Sequence, residues 1–186
     1  MALLGHPVAH SLSPRMQNAA FAAAGLDWEY VLRDVLPEEL EAAVTGVEYA
    51  NVTAPYKLDA ARILGGELAT VNTIVRDGGA AEAFRHALPA ARLFSRRGEW
   101  PPDVRDADLV IHATPVRDEV LFELGEGQTL IDLPYPRTAT AEAAAAAGAR
   151  VLDGFEVLVA QGAASFQLWT GRAAPVDAMR SVLGLT

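Results

Sequence analysis

Residues 51–57 read Asn51-Val52-Thr53-Ala54-Pro55-Tyr56-Lys57. Asn51, Val52 and Thr53 end a β-prone run. Pro55 suits the first position of a helix, because its φ is already helical and its missing N–H has no partner to lose there, which puts Lys57 in the first turn. A cation is badly placed at that end. The helix macrodipole is positive there and costs Lys57 about 0.3–1 kcal/mol relative to a neutral residue. The same field, with partial burial, favours the neutral amine and draws the lysine toward the range useful for proton transfer. The plainer reading is a solvated lysine on a surface helix, where charged side chains usually lie.

Working toward the N-terminus, residues 2–5 read as a short buried strand, followed by Gly5-His6-Pro7 and a loop ending in Ser11-Leu12-Ser13-Pro14. Ser13 is a natural N-cap with Pro14 at N1, opening a helix that carries Met16, Ala19, Ala20 and Ala23 on one face and stops at Gly25. Ser11 and Ser13, two residues apart, offer a pair of hydroxyls to a polyol, although capping alone accounts for Ser13. Residues 28–33 alternate as a strand, Pro37 starts a helix through Val44, and 48–53 form a third strand leading into the Lys57 helix. Past Gly65-Gly66, residues 69–75 are strand-like with Asn72 inside, where its amide satisfies buried backbone or faces a ligand. Asp77-Gly78 reads as a hairpin-type turn.

From Ala80 the pattern restarts, with a helix over 80–88, strands over 91–95, 108–113, 128–133 and 149–152, and a helix over 138–147. Strands alternating with helices at this spacing mean an α/β fold with largely parallel sheets, and the second half has the pieces of a doubly wound nucleotide-binding unit. The Gly-x-Gly-x-x-Gly turn that should follow its first strand is missing. Residues 154–171 form a long helix, apolar on most faces and therefore expected to be buried between domains, with Gln161 as a polar group in its middle. A terminal helix runs from Pro175 to Leu183.

The chain has 186 residues, 51% of them hydrophobic, and a net charge of −9. That charge argues against nucleic acid and anionic membranes as partners, so an anionic ligand needs a local basic pocket. No apolar run approaches the roughly 18 residues that cross a bilayer, and the start lacks a basic n-region, so a cytoplasmic location is expected. There is no cysteine, and His6, His10, His86 and His112 lack zinc spacings, so no metal is expected.

Taken together, Gly5-His6-Pro7-Val8 with Ser11-Leu12-Ser13-Pro14, Asn51-Val52-Thr53-x-Pro55-x-Lys57, Val71-Asn72-Thr73, Asp132-Leu133-x-Tyr135, and Gln161-Gly162-Ala163 with Phe166, Trp169 and Thr170 resemble, in order, the motifs of shikimate dehydrogenase. The resemblance implies a substrate domain over 1–76, a shortened Rossmann-like NADP-binding domain over 77–153, and C-terminal helices over 154–186 that pack back on the first. It implies NADPH-dependent reduction of 3-dehydroshikimate to shikimate by a monomer or homodimer. Ser11, Ser13, Thr53, Lys57, Asn72, Tyr135 and Gln161 would hold the substrate, with Lys57 as the catalytic acid and base. Gly78, Gly79 and Ala80 would correspond to the tail of the glycine loop. Ser95-Arg96-Arg97 would face the 2′-phosphate of NADP, and Thr114, Pro115, Leu133 and Gly154 would line the nicotinamide side.

The chain departs from that pattern after Asp77. The family's aspartate motif, a helix and the first nucleotide-domain strand are skipped, a loss on the order of 30 residues, about one βαβ unit. Neither Asp59 nor Asp77 matches the catalytic aspartate. Two other readings therefore stay open: a non-catalytic relative that still binds a shikimate-like acid, and an NAD-linked quinate or shikimate dehydrogenase.

Overall fold

The computed structural model describes residues 1–65, 73–75 and 100–185. The expected helix over 80–88, the strand over 91–95 and the turn at Asp77 lie outside the described residues. The chain divides into two compact units, one drawn from Met1–Ala90 with Gln161–Thr186 and the other from Ala91–Ala160.

The first unit is built on a sheet of order β2-β1-β3-β4. Its strands are β1 (Ala2–Gly5), β2 (Val31–Asp34), β3 (Tyr49–Val52) and β4 (Thr73–Val75). Strand β1 is parallel to both neighbours, and β4 runs antiparallel to β3. Parallel neighbours need crossovers, supplied here by α1 (Ser13–Ala23) and by a 3₁₀ turn at Pro37–Glu39 leading into α2 (Leu40–Thr45). Helix α3 (Lys57–Ile63) follows β3.

The pleat sorts β1 and β3 into two faces. Ala2, Leu4, Ala50 and Val52 join a core with Leu40, Val44, Tyr56 and Ala60 from the side of α2 and α3. Leu3 pairs in register with Asn51, and both belong to the opposite face. Phe21 and Phe166 stack with ring centroids 5.7 Å apart, and Tyr30 lies 5.9 Å from Trp169. Such pairs contribute about 0.5–1.5 kcal/mol beyond the area they bury. They tie α1, through Phe21, and the residue before β2, Tyr30, to α5 (Gly154–Thr170), while α6 (Val176–Val182) packs on α1. The α/β fold and the return of the C-terminal helices to the first unit agree with the sequence.

Four local expectations need correction. The strand expected over 28–33 is β2, Val31–Asp34, because Asn18 captures Tyr30 first: Tyr30 N–H donates to Asn18 Oδ1 at 2.7 Å and Asn18 Nδ2 donates to the Tyr30 carbonyl at 3.0 Å. Ser13 is not a capping side chain. Met16 N–H already bonds the Leu12 carbonyl, so the helix starts one residue earlier and Ser13 lies within it. The buried stripe of α1 is Met16, Gln17, Ala20 and Phe21, with Ala23 exposed. Pro55 is not at N1 either. A turn closed by Tyr56 N–H on the Thr53 carbonyl holds it, and the helical ladder begins with Ala60 on Tyr56, leaving Lys57 as the first residue of α3.

The second unit holds a parallel sheet of order β5-β6-β7, from Leu109–His112, Thr129–Asp132 and Arg150–Leu152. Val110, Leu130, Ala141 and Ala144 form its core with α4 (Ala139–Ala146). Thr138 caps α4 by accepting from Ala141 N–H, and Asp153 caps α5 by accepting from Phe155 and Glu156 N–H. Helix α5 is not buried all round, as its composition suggested, since Ala160, Gln161, Ala164, Gln167 and Leu168 form an exposed stripe. No described helix is long and apolar enough to cross a membrane.

Candidate active site

In the first unit, the face of β3 that carries Asn51 and Thr53 opens on a cleft of about 70 Å³. A single water needs roughly 10–15 Å³ on the same measure, so there is room for several waters or part of a small ligand. Strands β1 and β3 supply Leu3 and Asn51, Thr53 follows directly on β3, α3 supplies Lys57, α1 supplies Met16 and Gln17, and α5 supplies Gln161, Gly162 and Ser165.

Lys57 is half-buried, and that burial lowers its pKa from the ordinary lysine value. It makes no hydrogen bond or ion pair with a described residue. The nearby acid of its own helix is committed elsewhere, since Asp59 pairs with Arg62 at 3.2 Å. Asn51 is fixed from two sides: Tyr30 Oη donates to its Oδ1 at 2.8 Å, and its Nδ2 donates to Ser165 Oγ at 2.9 Å. A half-buried amide oriented this way gives a cleft a defined polarity.

Of the residues expected at a substrate site, the cleft brings together Thr53, Lys57 and Gln161. Gln161 lies on the exposed stripe of α5 and is not a polar group submerged in an apolar helix. Ser11 Oγ donates to Ser13 Oγ at 3.2 Å and accepts from Ser13 N–H at 3.3 Å, and neither serine lines the cleft. Asn72 lies outside the described residues. Tyr135 belongs to the second unit, its ring 5.3 Å from that of Phe155. Sequence reasoning missed Gln17, Asn51 and Ser165. The signal for Asn51 was the pleat, which puts it on the face of Thr53; for Gln17 it was a position three and four residues before Ala20 and Phe21.

Among the expected cofactor residues, Gly78, Gly79, Ala80, Ser95, Arg96 and Arg97 lie outside the described residues. Thr114 belongs to a buried chain. His112 Nδ1 lies 2.7 Å from Asp132 Oδ1, its Nε2 lies 2.7 Å from Thr114 Oγ1, and Asp132 also accepts from the Thr138 N–H and hydroxyl. The carboxylate side of the imidazole must carry its proton, so in the neutral ring Nε2 accepts the Thr114 hydroxyl proton. Thr114 Oγ1 is left with lone pairs, one of them facing Val116 N–H at 3.4 Å. Leu133 is exposed, and a Cβ on Gly154 would collide with the carbonyl oxygens of Leu133 and Pro134. Glycine at 154 is therefore explained by this close approach.

Residues 3–74 match the shikimate dehydrogenase substrate binding domain, and residues 154–183 match the shikimate 5'-dehydrogenase C-terminal domain. A relative from Moorella thermoacetica, named shikimate dehydrogenase (NADP(+)), is 33% identical over 270 aligned positions, covering 98% of this chain and 92% of the relative. That alignment is longer than the 186-residue chain, so it contains long stretches where this chain has no residue. The crystal structure of shikimate dehydrogenase from Aquifex aeolicus superposes with a TM-score of 0.78 at 22% identity, covering 98% of this chain and 96% of that one. A structure from Thermus thermophilus, solved in complex with shikimate, gives 0.77 at 25% identity, covering 97% and 96%. The chain is a compact member of the shikimate dehydrogenase family.

Proposed function

We propose that the chain is a cytoplasmic, NADP-linked shikimate dehydrogenase, reducing 3-dehydroshikimate reversibly to shikimate on the route to the aromatic amino acids. On this reading residues 1–76 are its substrate domain, 77–153 a shortened nucleotide-binding domain, and 154–186 helices that complete the first. The observation that carries the reading is Lys57, half-buried in a polar cleft with Thr53 and Gln161 and lowered in pKa by burial.

When a ketone is reduced, negative charge builds on its oxygen, and a positioned proton donor stabilises it. The Lys57 ammonium donates that proton, and in the reverse direction the neutral amine removes it from the hydroxyl. Thr53 and Gln161 orient the ring by its polar groups, with Ser11, Ser13, Asn72 and Tyr135 as the further substrate contacts. Bound NADPH supplies the hydride. Thr114, Leu133 and Gly154 would hold its nicotinamide, and the remaining lone pair of Thr114 Oγ1 suits an N–H of a carboxamide. Gly78, Gly79 and Ala80 would face its pyrophosphate. Ser95, Arg96 and Arg97 would face its 2′-phosphate, which a guanidinium grips with two hydrogen bonds.

Following NADP⁺ reduction with shikimate, and with quinate and NAD⁺ as alternatives, tests the proposal. We expect slow, shikimate-dependent NADPH formation with NADP⁺ preferred over NAD⁺, the preference weakened in Arg96→Ala. Shikimate binding without turnover would mark a binding module, and a preference for NAD⁺ or quinate would overturn the cofactor or substrate assignment.

A further inference from the structure

Gln17 stands on the apolar stripe of α1 between Met16 and Ala20 and is 1% exposed. Its Nε2 donates to the Gly162 carbonyl on α5 at 2.9 Å. The bond requires close helices, and Gly162 provides for it: a Cβ there would run into the end of Met16 and press on the Gln17 amide. A carbonyl can only accept, so this contact fixes which end of the amide is nitrogen. The other end, Oε1, is the one buried side-chain polar atom among the described residues that has no hydrogen-bond partner. An unpaired buried acceptor is costly, and a leucine or methionine would fit the stripe without the cost. Gln17 also lines the cleft that holds Thr53, Lys57 and Gln161.

We propose that Gln17 is a specificity-determining residue of this cleft, its Oε1 accepting a hydrogen bond from a hydroxyl of the bound polyhydroxy acid. The proposal rests on the reading that the cleft takes shikimate. An amide oxygen cannot bond a carboxylate or a keto oxygen, both of which only accept. Lys57 has the opposite character and offers protons. Gln17 therefore recognises a hydroxyl that ketone and alcohol forms of the substrate share, and the reacting oxygen falls to Lys57. A contact made equally with both forms is uniform binding, so its loss raises KM in both directions and leaves kcat nearly unchanged.

The test is calorimetry of shikimate, and of analogues each lacking one hydroxyl, with the parent protein and with Gln17→Met, alongside KM and kcat. We expect one analogue to bind the parent about tenfold or more weakly, Gln17→Met to lose a similar factor for shikimate, and the two losses not to add. A Gln17→Met variant that binds every ligand like the parent, or weakens all by one factor, overturns the inference while the substrate assignment stands. A folded parent that does not bind shikimate overturns the assignment and the inference with it. Should circular dichroism show Gln17→Met unfolded, a crystal structure of the parent with shikimate decides. A ligand hydroxyl within hydrogen-bond distance of Oε1 supports the inference, and a water or protein group there overturns it.

Discussion

The cleft of the first unit and the His112 cluster of the second are both polar constructions at parallel strands, yet they treat their polar atoms in opposite ways. Around His112 the buried groups are answered within the protein: the imidazole meets Asp132 and Thr114, Asp132 also accepts twice from Thr138, and Thr138 also caps α4. His112 and Asp132 are almost wholly enclosed. In the cleft, neither Lys57 nor Gln17 Oε1 meets a partner among the described residues. A closed network stiffens a fold, whereas an open one spends stability to keep chemistry available to a ligand. The contrast assigns different consequences to substitutions in the two regions.

The largest effect expected is on rate. Replacing Lys57 by Met should lower shikimate-dependent NADP⁺ reduction by about 10²–10⁴-fold, the usual contribution of a positioned acid or base. In the parent, reduction of the ketone should fall as pH rises through the depressed pKa of Lys57, because the ammonium is needed, and shikimate oxidation should rise over the same span. A variant with undiminished rate, or a profile without that ionisation, removes Lys57 from the mechanism. Next comes stability: Asp132→Ala strands the buried partners of the carboxylate and should cost about 3–5 kcal/mol in urea unfolding, the range for breaking a buried pair from one side. A loss below 1 kcal/mol would show that the cluster is not the closed network described. Thr53→Val should weaken shikimate about tenfold by calorimetry, one hydrogen bond's worth, with little change in melting temperature. Unchanged affinity in both Thr53→Val and Gln161→Leu would move the substrate elsewhere.

The smallest effect has the opposite sign. Lys57→Met should stabilise the fold by about 0.3–1 kcal/mol at neutral pH, relieving a cation at a helix N-terminus. Because burial depresses the pKa, the unfolded chain binds the extra proton between the folded and unfolded values, so the parent gains stability as pH rises through that window and the difference from Lys57→Met narrows. A destabilised variant would mean that the ammonium has a partner in the fold.

Alternation was enough to read the strands and their order of mention, because a short run such as Leu109–His112 has few other ways to bury Val110 and His112. It failed where a side chain outcompetes the sheet, as Asn18 does at Tyr30, since nothing local announces a partner twelve residues away. As candidates, Lys57 was legible from a helix start that ill suits a cation, and Thr53 only through the family resemblance. Gln17 was not, because an amide on an apolar stripe reveals its purpose only when Gly162 claims its nitrogen. The His112 chain was equally hidden, its members spread over three elements.

The bond from Gln17 to Gly162 joins residues 145 positions apart, and that from Asn51 to Ser165 joins residues 114 apart. Contacts of such sequence separation form late, since the loop entropy must be met before they return anything. During synthesis the first sheet is complete in sequence long before the wall that faces it has left the ribosome. Nascent chains stalled before residue 160 should therefore protect the β1–β3 pairing from proteolysis yet retain no affinity for shikimate, and affinity should arrive in one step once α5 has emerged. A ligand that binds only the finished cleft then holds the chain's two distant segments together by mass action, so protease resistance of the full chain should rise with shikimate concentration.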